Sequence, residues 1–371
     1  MDTERLKESF ARVALHGDEV PLFFYSDLFL RHPETRDMFP VSMAAQRDHL
    51  VQALARIVSD VENLGQLTPF LRELGRDHRK FGALAAHYAP VGASLLATLA
   101  HFSGPDWTPE LDADWQEAYG LVAQVMTAAA AADEKVNPAF WHATVLSHEL
   151  RNFDTAVFRV ATLEDLSYLP GQSVAIEYGQ RPRIWRFYSI ANAPRENGTL
   201  DFHVRVIDGG ALSMALARGL PVGARLRLGP PVGSLTLDTG SMRDVLLVAE
   251  STGLAPLKAI AEQIAELAVP PQVRLFVGAR RVEGLYDLPD LDKLSAPEPW
   301  LTVTPCVSDD PDYPGERGPL PDVVARSGSW ASHDAYLAGP TPMVEAMAAR
   351  LAALGVPREQ IHVEDFGWSE P

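Results

Sequence analysis

Arg186-Phe187-Tyr188-Ser189 places an arginine, two aromatics and a hydroxyl on consecutive residues of a strand-like region. A flavin asks three things of a protein. Its pyrophosphate needs a cation, its ring a planar partner, and its reactive nitrogen a tuning hydrogen bond. Arg186, Tyr188 and Ser189 supply these in that order. A strand with an exposed arginine and a core aromatic reads the same way, so the neighbourhood decides. On either side, runs such as Ala156-Val157-Phe158-Arg159-Val160-Ala161 and Leu200-Asp201-Phe202-His203-Val204-Arg205-Val206 alternate or nearly alternate. Turns such as Leu169-Pro170-Gly171-Gln172 separate them. Short strands with frequent turns predict a small antiparallel β-barrel over residues 135–240.

Gly209-Gly210-Ala211-Leu212-Ser213 opens a short helix within this region. A helix N-terminus after glycine offers free N–H groups to a phosphate. From Asp244 onward, strand and helix patterns alternate. Val245-Leu246-Leu247-Val248-Ala249 reads as a buried strand, and 256–267 as a helix with Leu257, Ile260, Ile264 and Leu267 on one face. Strands follow at 273–277, 301–307, 335–338 and 361–363, with a helix over 341–354. Such alternation predicts a parallel sheet with ligands at the carboxyl ends of its strands. Two strand-to-helix turns stand out: Ser251-Thr252-Gly253-Leu254-Ala255-Pro256 and Ala338-Gly339-Pro340-Thr341-Pro342-Met343. Each suits a cofactor pyrophosphate. Glu364-Asp365-Phe366 puts an aromatic after the last strand.

In this order and spacing, the part of the chain after residue 135 resembles the ferredoxin–NADP⁺ reductase superfamily. The resemblance implies an FAD-binding barrel followed by an α/β NAD(P)-binding domain. It implies Arg186, Tyr188, Ser189, Gly210 and Ser213 at the FAD, with Phe366 covering the flavin ring. It implies Thr252, Gly253, Pro256, Gly339, Pro340 and Met343 at the NAD(P)H site. The chain differs from that family at Glu250 and Ser251, where glycines are usual, and at Ala338, where cysteine is common. Gly278-Ala279-Arg280-Arg281 also follows a strand; its arginines suit either a 2′-phosphate or solvent, so NADH and NADPH both stay open.

Residues 1–134 have a different texture, with apolar positions three and four apart, as in Leu50, Leu54, Ile57, Val58 and Val61. This predicts an all-α domain of helices joined to the barrel by Lys135-Val136-Asn137-Pro138. Thr68-Pro69 reads as an N-cap followed by a first-turn proline. In the helix that this cap opens, Leu71, Leu74, His78 and Phe81 share a face, so an apolar stripe carries His78 inward. A core histidine bonded to a carbonyl and an axial haem ligand both fit.

The helical half resembles the globin domain of flavohaemoglobins. The carrying residues are the aromatic helix with Phe23, Phe24, Tyr25 and Phe29, then His32 to Pro40, Gln46, Leu50, His78 and Tyr88. The resemblance implies His78 as the iron ligand, Tyr25 and Gln46 as the distal polar pair, Phe39 and Leu50 as haem-pocket walls, and Tyr88 on the proximal side. Register through Trp115 and Tyr119 puts Ala132 where the family usually has a glutamate. Asp77 stands where lysine is common before the histidine.

Of the 371 residues, 47% are hydrophobic and 22% charged, with a net charge of −17. Nucleic acid is disfavoured, because phosphate binding needs a basic surface. One cysteine, Cys306, excludes an intrachain disulfide and fits a cytoplasmic setting. The apolar run at 125–132 is far short of the roughly 20 residues that span a bilayer. Three domains are expected: 1–134, 135–240 and 241–371. Their expected cofactors are haem b, FAD and NAD(P)H, and no obligate protein partner is implied. The expected activity is nitric oxide dioxygenation, in which O2 and NO are converted to nitrate. A haem or flavin reductase with another acceptor, and an O2- or redox-sensing globin, are the alternatives.

Overall fold

The computed structural model describes residues 1–296 and 300–364. The chain forms two compact units, Met1–Phe140 and Trp141–Pro371. The first is helical: α1 (Thr3–Ala14), α2 (Glu19–Arg31), α3 (Ala44–Ser59), α4 (Leu64–His78), α5 (Ala85–Ser103) and α6 (Pro109–Asp133). Leu6 and Val13 of α1, Phe24, Tyr25 and Leu28 of α2, and Leu95, Leu99, Leu111 and Trp115 fill one core. Two glycines let α6 lie against its neighbours at backbone distance. A Cβ on Gly75 of α4 would sit 2.3 Å from the Met126 carbonyl oxygen, and one on Gly92 of α5 would sit 2.4 Å from the Tyr119 ring.

The sequence reading of Thr68-Pro69 is corrected here. Helix α4 starts five residues earlier, at Leu64, and is capped by the Asn63 side chain, which accepts from the Gln66 N–H at 3.3 Å. Pro69 therefore lies inside the helix. Its missing N–H forgoes one bond to the preceding turn. Burial of Leu67, Phe70, Leu71 and Leu74 on one face holds the helix through it. The same dipeptide at Thr108-Pro109 does open a helix, α6, where the Thr108 hydroxyl accepts from the Leu111 N–H.

The second unit begins with antiparallel strands β1 (Trp141–Leu150), β2 (Thr155–Thr162), β3 (Ser173–Tyr178), β4 (Trp185–Ser189), β5 (Thr199–Arg205) and β6 (Arg225–Leu228). Their order is β4-β3-β6-β1-β2-β5, and a bridge between Ile190 and Phe202 nearly closes the barrel. Helix α7 (Ala211–Arg218) puts Leu212, Leu216 and Ala217 into the barrel core.

The α/β part follows as β7 (Asp244–Glu250), α8 (Leu254–Ala265), β8 (Val273–Ala279), α9 (Leu288–Ser295), β9 (Leu301–Val307), β10 (Glu316–Arg317), α10 (Leu320–Ser327), β11 (His333–Ala338), α11 (Thr341–Ala353) and β12 (Ile361–Val363). The sheet order is β10-β9-β8-β7-β11-β12, and the pairings are parallel. Val245 to Ala249 are all buried because helices cover both faces. Val245, Leu247 and Ala249 pack with α8, while Leu246 and Val248 pack with α10 and α11. A continuous apolar run is what such a strand requires. The winding direction reverses between β7 and β11, and that switch point opens a crevice at the carboxyl ends of the strands.

Candidate functional site

His78 ends α4 and is half-buried. Its Nδ1–H donates to the Leu74 carbonyl at 2.8 Å, one turn back in the same helix. That bond assigns the tautomer and leaves the Nε2 lone pair without a partner among the described residues. Burial lowers the imidazole pKa below its ordinary 6.5, so the ring is neutral, as a metal ligand must be. Ala132, with Asp133 beside it, closes α6. Ala132 faces outward and Asp133 is buried. Asp133 pairs with Arg79 and accepts from the Asn137 amide at 2.8 Å. Asp77 pairs with the buried Lys80. Neither carboxylate bonds to His78. Tyr88 is half-buried, its carbonyl accepts from the Tyr119 hydroxyl at 2.5 Å, and burial raises its own pKa.

In the same unit, the Tyr25 hydroxyl is buried and donates to the main-chain carbonyl of Gln46 at 3.2 Å. The Gln46 side chain makes no hydrogen bond among the described residues, so the expected pair meets through backbone. Burial raises the Tyr25 pKa, and the hydroxyl keeps its proton. Phe39 meets the Tyr25 ring edge-on at 5.4 Å, and Leu50 packs against the same core. Leu50 also lines a cavity of about 310 Å³ with Phe10, Val13, Pro21 and Val51. A ring with a free nitrogen and a buried hydroxyl donor, both among apolar side chains, fit a haem.

In the barrel, β4 pairs with β3 so that Tyr188 faces Val174 and Ser189 faces Ser173. Ser173 Oγ lies 3.1 Å from Ser189 Oγ and 3.0 Å from Glu364 Oε1. Burial pushes the Glu364 carboxyl up to about 8, so it is protonated at neutral pH, and its Oε1 accepts from the Ser173 hydroxyl. The sequence reading had valued only the aromatic at 366, which lies outside the described residues. The acid beside the last strand was the missed signal. Arg186 donates to the Trp185 carbonyl at 2.9 Å, and burial raises the Tyr188 pKa. Ser213 Oγ accepts from the Ile207 N–H and lies 3.1 Å from the Gly210 carbonyl. It thus fixes the turn that opens α7.

The two turns singled out in the α/β part meet at the switch point. A Cβ on Gly253 would sit 2.3 Å from the Ala338 carbonyl oxygen, and Gly339 has φ +155°. Thr252 is half-buried and Pro340 exposed beside them, while Pro256 and Met343 are buried beneath. Ser251 takes a left-handed φ of 56°, where glycine is the unstrained residue. Burial raises the half-buried Glu250 carboxyl, against the pull of Arg205 and Arg280.

A helical unit fit for haem, an antiparallel barrel fit for flavin and a parallel sheet with a cleft for a dinucleotide define an electron-transferring oxidoreductase. Residues 22–126 match the globin family model. Residues 142–237 match the oxidoreductase FAD-binding domain, and 247–349 the oxidoreductase NAD-binding domain. A flavohemoprotein of Bordetella parapertussis is 30% identical, over 95% of this chain and 94% of that protein. The chain belongs to the flavohaemoprotein family. It is an NAD(P)H-dependent oxidoreductase whose cofactors are haem, FAD and the nicotinamide dinucleotide. The fold is shared with a Malassezia yamatoensis flavohemoglobin solved with FAD and heme, at 18% identity, TM-score 0.80 and 97% coverage of each chain. The reductase part is similar to the ferredoxin reductase in carbazole 1,9a-dioxygenase, at 32% identity and TM-score 0.56, covering 60% of this chain and 68% of that one. Among the described residues no single helix is long and apolar enough to cross a membrane.

Proposed function

We propose that this protein is a cytoplasmic nitric oxide dioxygenase, consuming O2 and NO and releasing nitrate with electrons from NAD(P)H. The observation that carries the reading is the buried, protonated Tyr25 hydroxyl in the same helical unit as a neutral His78 with Nε2 free. When bound, haem supplies an iron for dioxygen and single electrons, and FAD supplies the hydride acceptor that feeds it. His78 Nε2 would hold the iron. The Tyr25 hydroxyl, which donates to the Gln46 carbonyl, would be the donor to dioxygen, with Gln46 as its distal partner. Phe39 and Leu50 keep water out, and Tyr88 lies on the proximal side. Arg186, Tyr188, Ser189, Gly210 and Ser213 would hold the FAD, and Phe366, outside the described residues, is assigned to it by the resemblance alone. Thr252, Gly253, Pro256, Gly339, Pro340 and Met343 shape the nicotinamide site. Along the chain, the boundaries of the three functional parts are placed near residues 134 and 240.

One observation favours a second reading, a haem reductase with another acceptor. Asp133 is committed to Arg79 rather than to His78. A histidine bonded only to a carbonyl is a weaker electron donor than one bonded to a carboxylate. Anaerobic reduction with NADH or NADPH, followed by O2 and NO, separates the two. Nitrate formed in step with NO loss supports the dioxygenase. Haem reduction without NO-dependent turnover sinks it.

A further inference from the structure

Strand β5 carries two alternating rows of side chains. Leu200, Phe202 and Val204 fill the barrel core. Asp201, His203 and Arg205 occupy the other face, and that face meets the nicotinamide-binding part. Asp201 pairs with Arg159 at 2.6 Å and Arg195 at 2.9 Å, and Arg195 reaches Glu262 of α8 at 3.6 Å. Glu262 also accepts from the Ala193 N–H at 3.0 Å. The ring of His203 and the Tyr286 hydroxyl, both buried, share a 2.9 Å hydrogen bond. Arg205 places its charge near Glu250 at the end of β7. Beside this row, Arg151 pairs with Asp290 at 2.8 Å, and Lys258 of α8 pairs with the buried Asp287 at 2.6 Å.

Burial, helped by the Lys258 charge, holds His203 down at about 3, so it bonds Tyr286 as a neutral ring. Buried polar pairs of this kind are directional and costly to break. They tie β5, which bridges at Phe202 to Ile190 just after the flavin strand β4, to the nicotinamide-binding part. We propose that this seam sets the approach of the nicotinamide to the flavin, making Tyr286 and Glu262 positioning residues for hydride transfer. In that step the nicotinamide C–H bond breaks as a flavin N–H bond forms. One electron pair moves with the hydride, so NAD(P)H is oxidised and FAD reduced. The proposal needs only flavin reduction and is independent of what the haem does with the electrons.

The test is rapid anaerobic mixing of the full-length holoenzyme with NADH or NADPH, comparing wild type, Tyr286→Phe and Glu262→Gln. Tyr286→Phe should keep its FAD and its NAD(P)H dissociation constant. Flavin bleaching at saturating NAD(P)H should slow about tenfold, as for a modest misplacement of reacting groups. The long-wavelength charge-transfer band between reduced flavin and oxidised nicotinamide should weaken with it. Glu262→Gln, which keeps an oxygen for the Ala193 N–H, should show a smaller change of the same kind. If Tyr286→Phe does not fold, Glu262→Gln decides alone. Wild-type rates and band in the folded variants overturn the proposal, as does a slowing that more NAD(P)H restores.

Discussion

At Tyr25 one oxygen atom carries the distal chemistry. Tyr25→Phe keeps the ring against Phe39 and deletes the donor. Dioxygen should then leave roughly tenfold faster, the equivalent of one lost hydrogen bond of about 1.4 kcal/mol, as read by flash photolysis. Unchanged dissociation would remove Tyr25 from the site. His78→Ala should abolish the Soret band while NAD(P)H still reduces ferricyanide through the flavin. Glu364 gives a pH signature. Folded, its carboxyl titrates near 8; unfolded, it returns toward its ordinary 4.5. Its contribution to stability is therefore full below 4.5, falls as pH rises, and is lost above about 8. Urea midpoints of the flavin-free protein should show that decline, and Glu364→Gln should flatten it. The inward facing of His78 was legible from the spacing of apolar residues in its helix, whereas Tyr25 was singled out by resemblance and Ser189 by the residue types beside it. The partners were not. Arg79 and Asp133 stand 54 residues apart, and His203 and Tyr286 stand 83 apart, so only the fold brings them together.

Among the elements, α4 shows how local signals compete. Thr68-Pro69 and Thr108-Pro109 are the same dipeptide, yet only the second starts a helix. Asn63 offers an earlier cap, and the apolar face beginning at Leu67 outweighs one missing N–H. Propensity is local and burial is not, so sequence alone favoured the wrong start. The strands suffered less, since alternation and flanking glycines agree with the tertiary pattern. Gly75 sets the α4–α6 distance one turn before His78. Gly75→Val should cost about 1–3 kcal/mol by overpacking and weaken haem retention, read as a lower Tm and a smaller Soret band. Ser251→Gly should do the reverse at the nicotinamide turn. Relief of its left-handed backbone is worth about 1 kcal/mol, and a Tm that does not rise would show that the hydroxyl offsets the strain.

At the scale of the whole molecule, the texture change near residue 135 marks where helices give way to strands, and β1 starts at Trp141. Residues 1–140 and 141–371 form separate compact units. The second, made alone, should fold, bind FAD and pass electrons from NAD(P)H to ferricyanide, yet consume no NO. Absence of flavin from that fragment would mean that the helical unit is needed to complete the reductase. Sequence could not show that barrel and sheet share one unit, because the residues that join them, such as His203 with Tyr286 and Ala193 with Glu262, lie far apart along the chain.

Strand β5 has a consequence for how the protein can vary over time. Its side-chain period is two, so gaining or losing one residue within Thr199–Arg205 would exchange its faces. Asp201, His203 and Arg205 would be driven into the hydrocarbon of the barrel, and Leu200, Phe202 and Val204 would be turned against ionised partners. Such a lineage would lose the barrel core and the joint together. Drift along β5 is confined to substitution, with insertions and deletions admitted only in the loops at its ends.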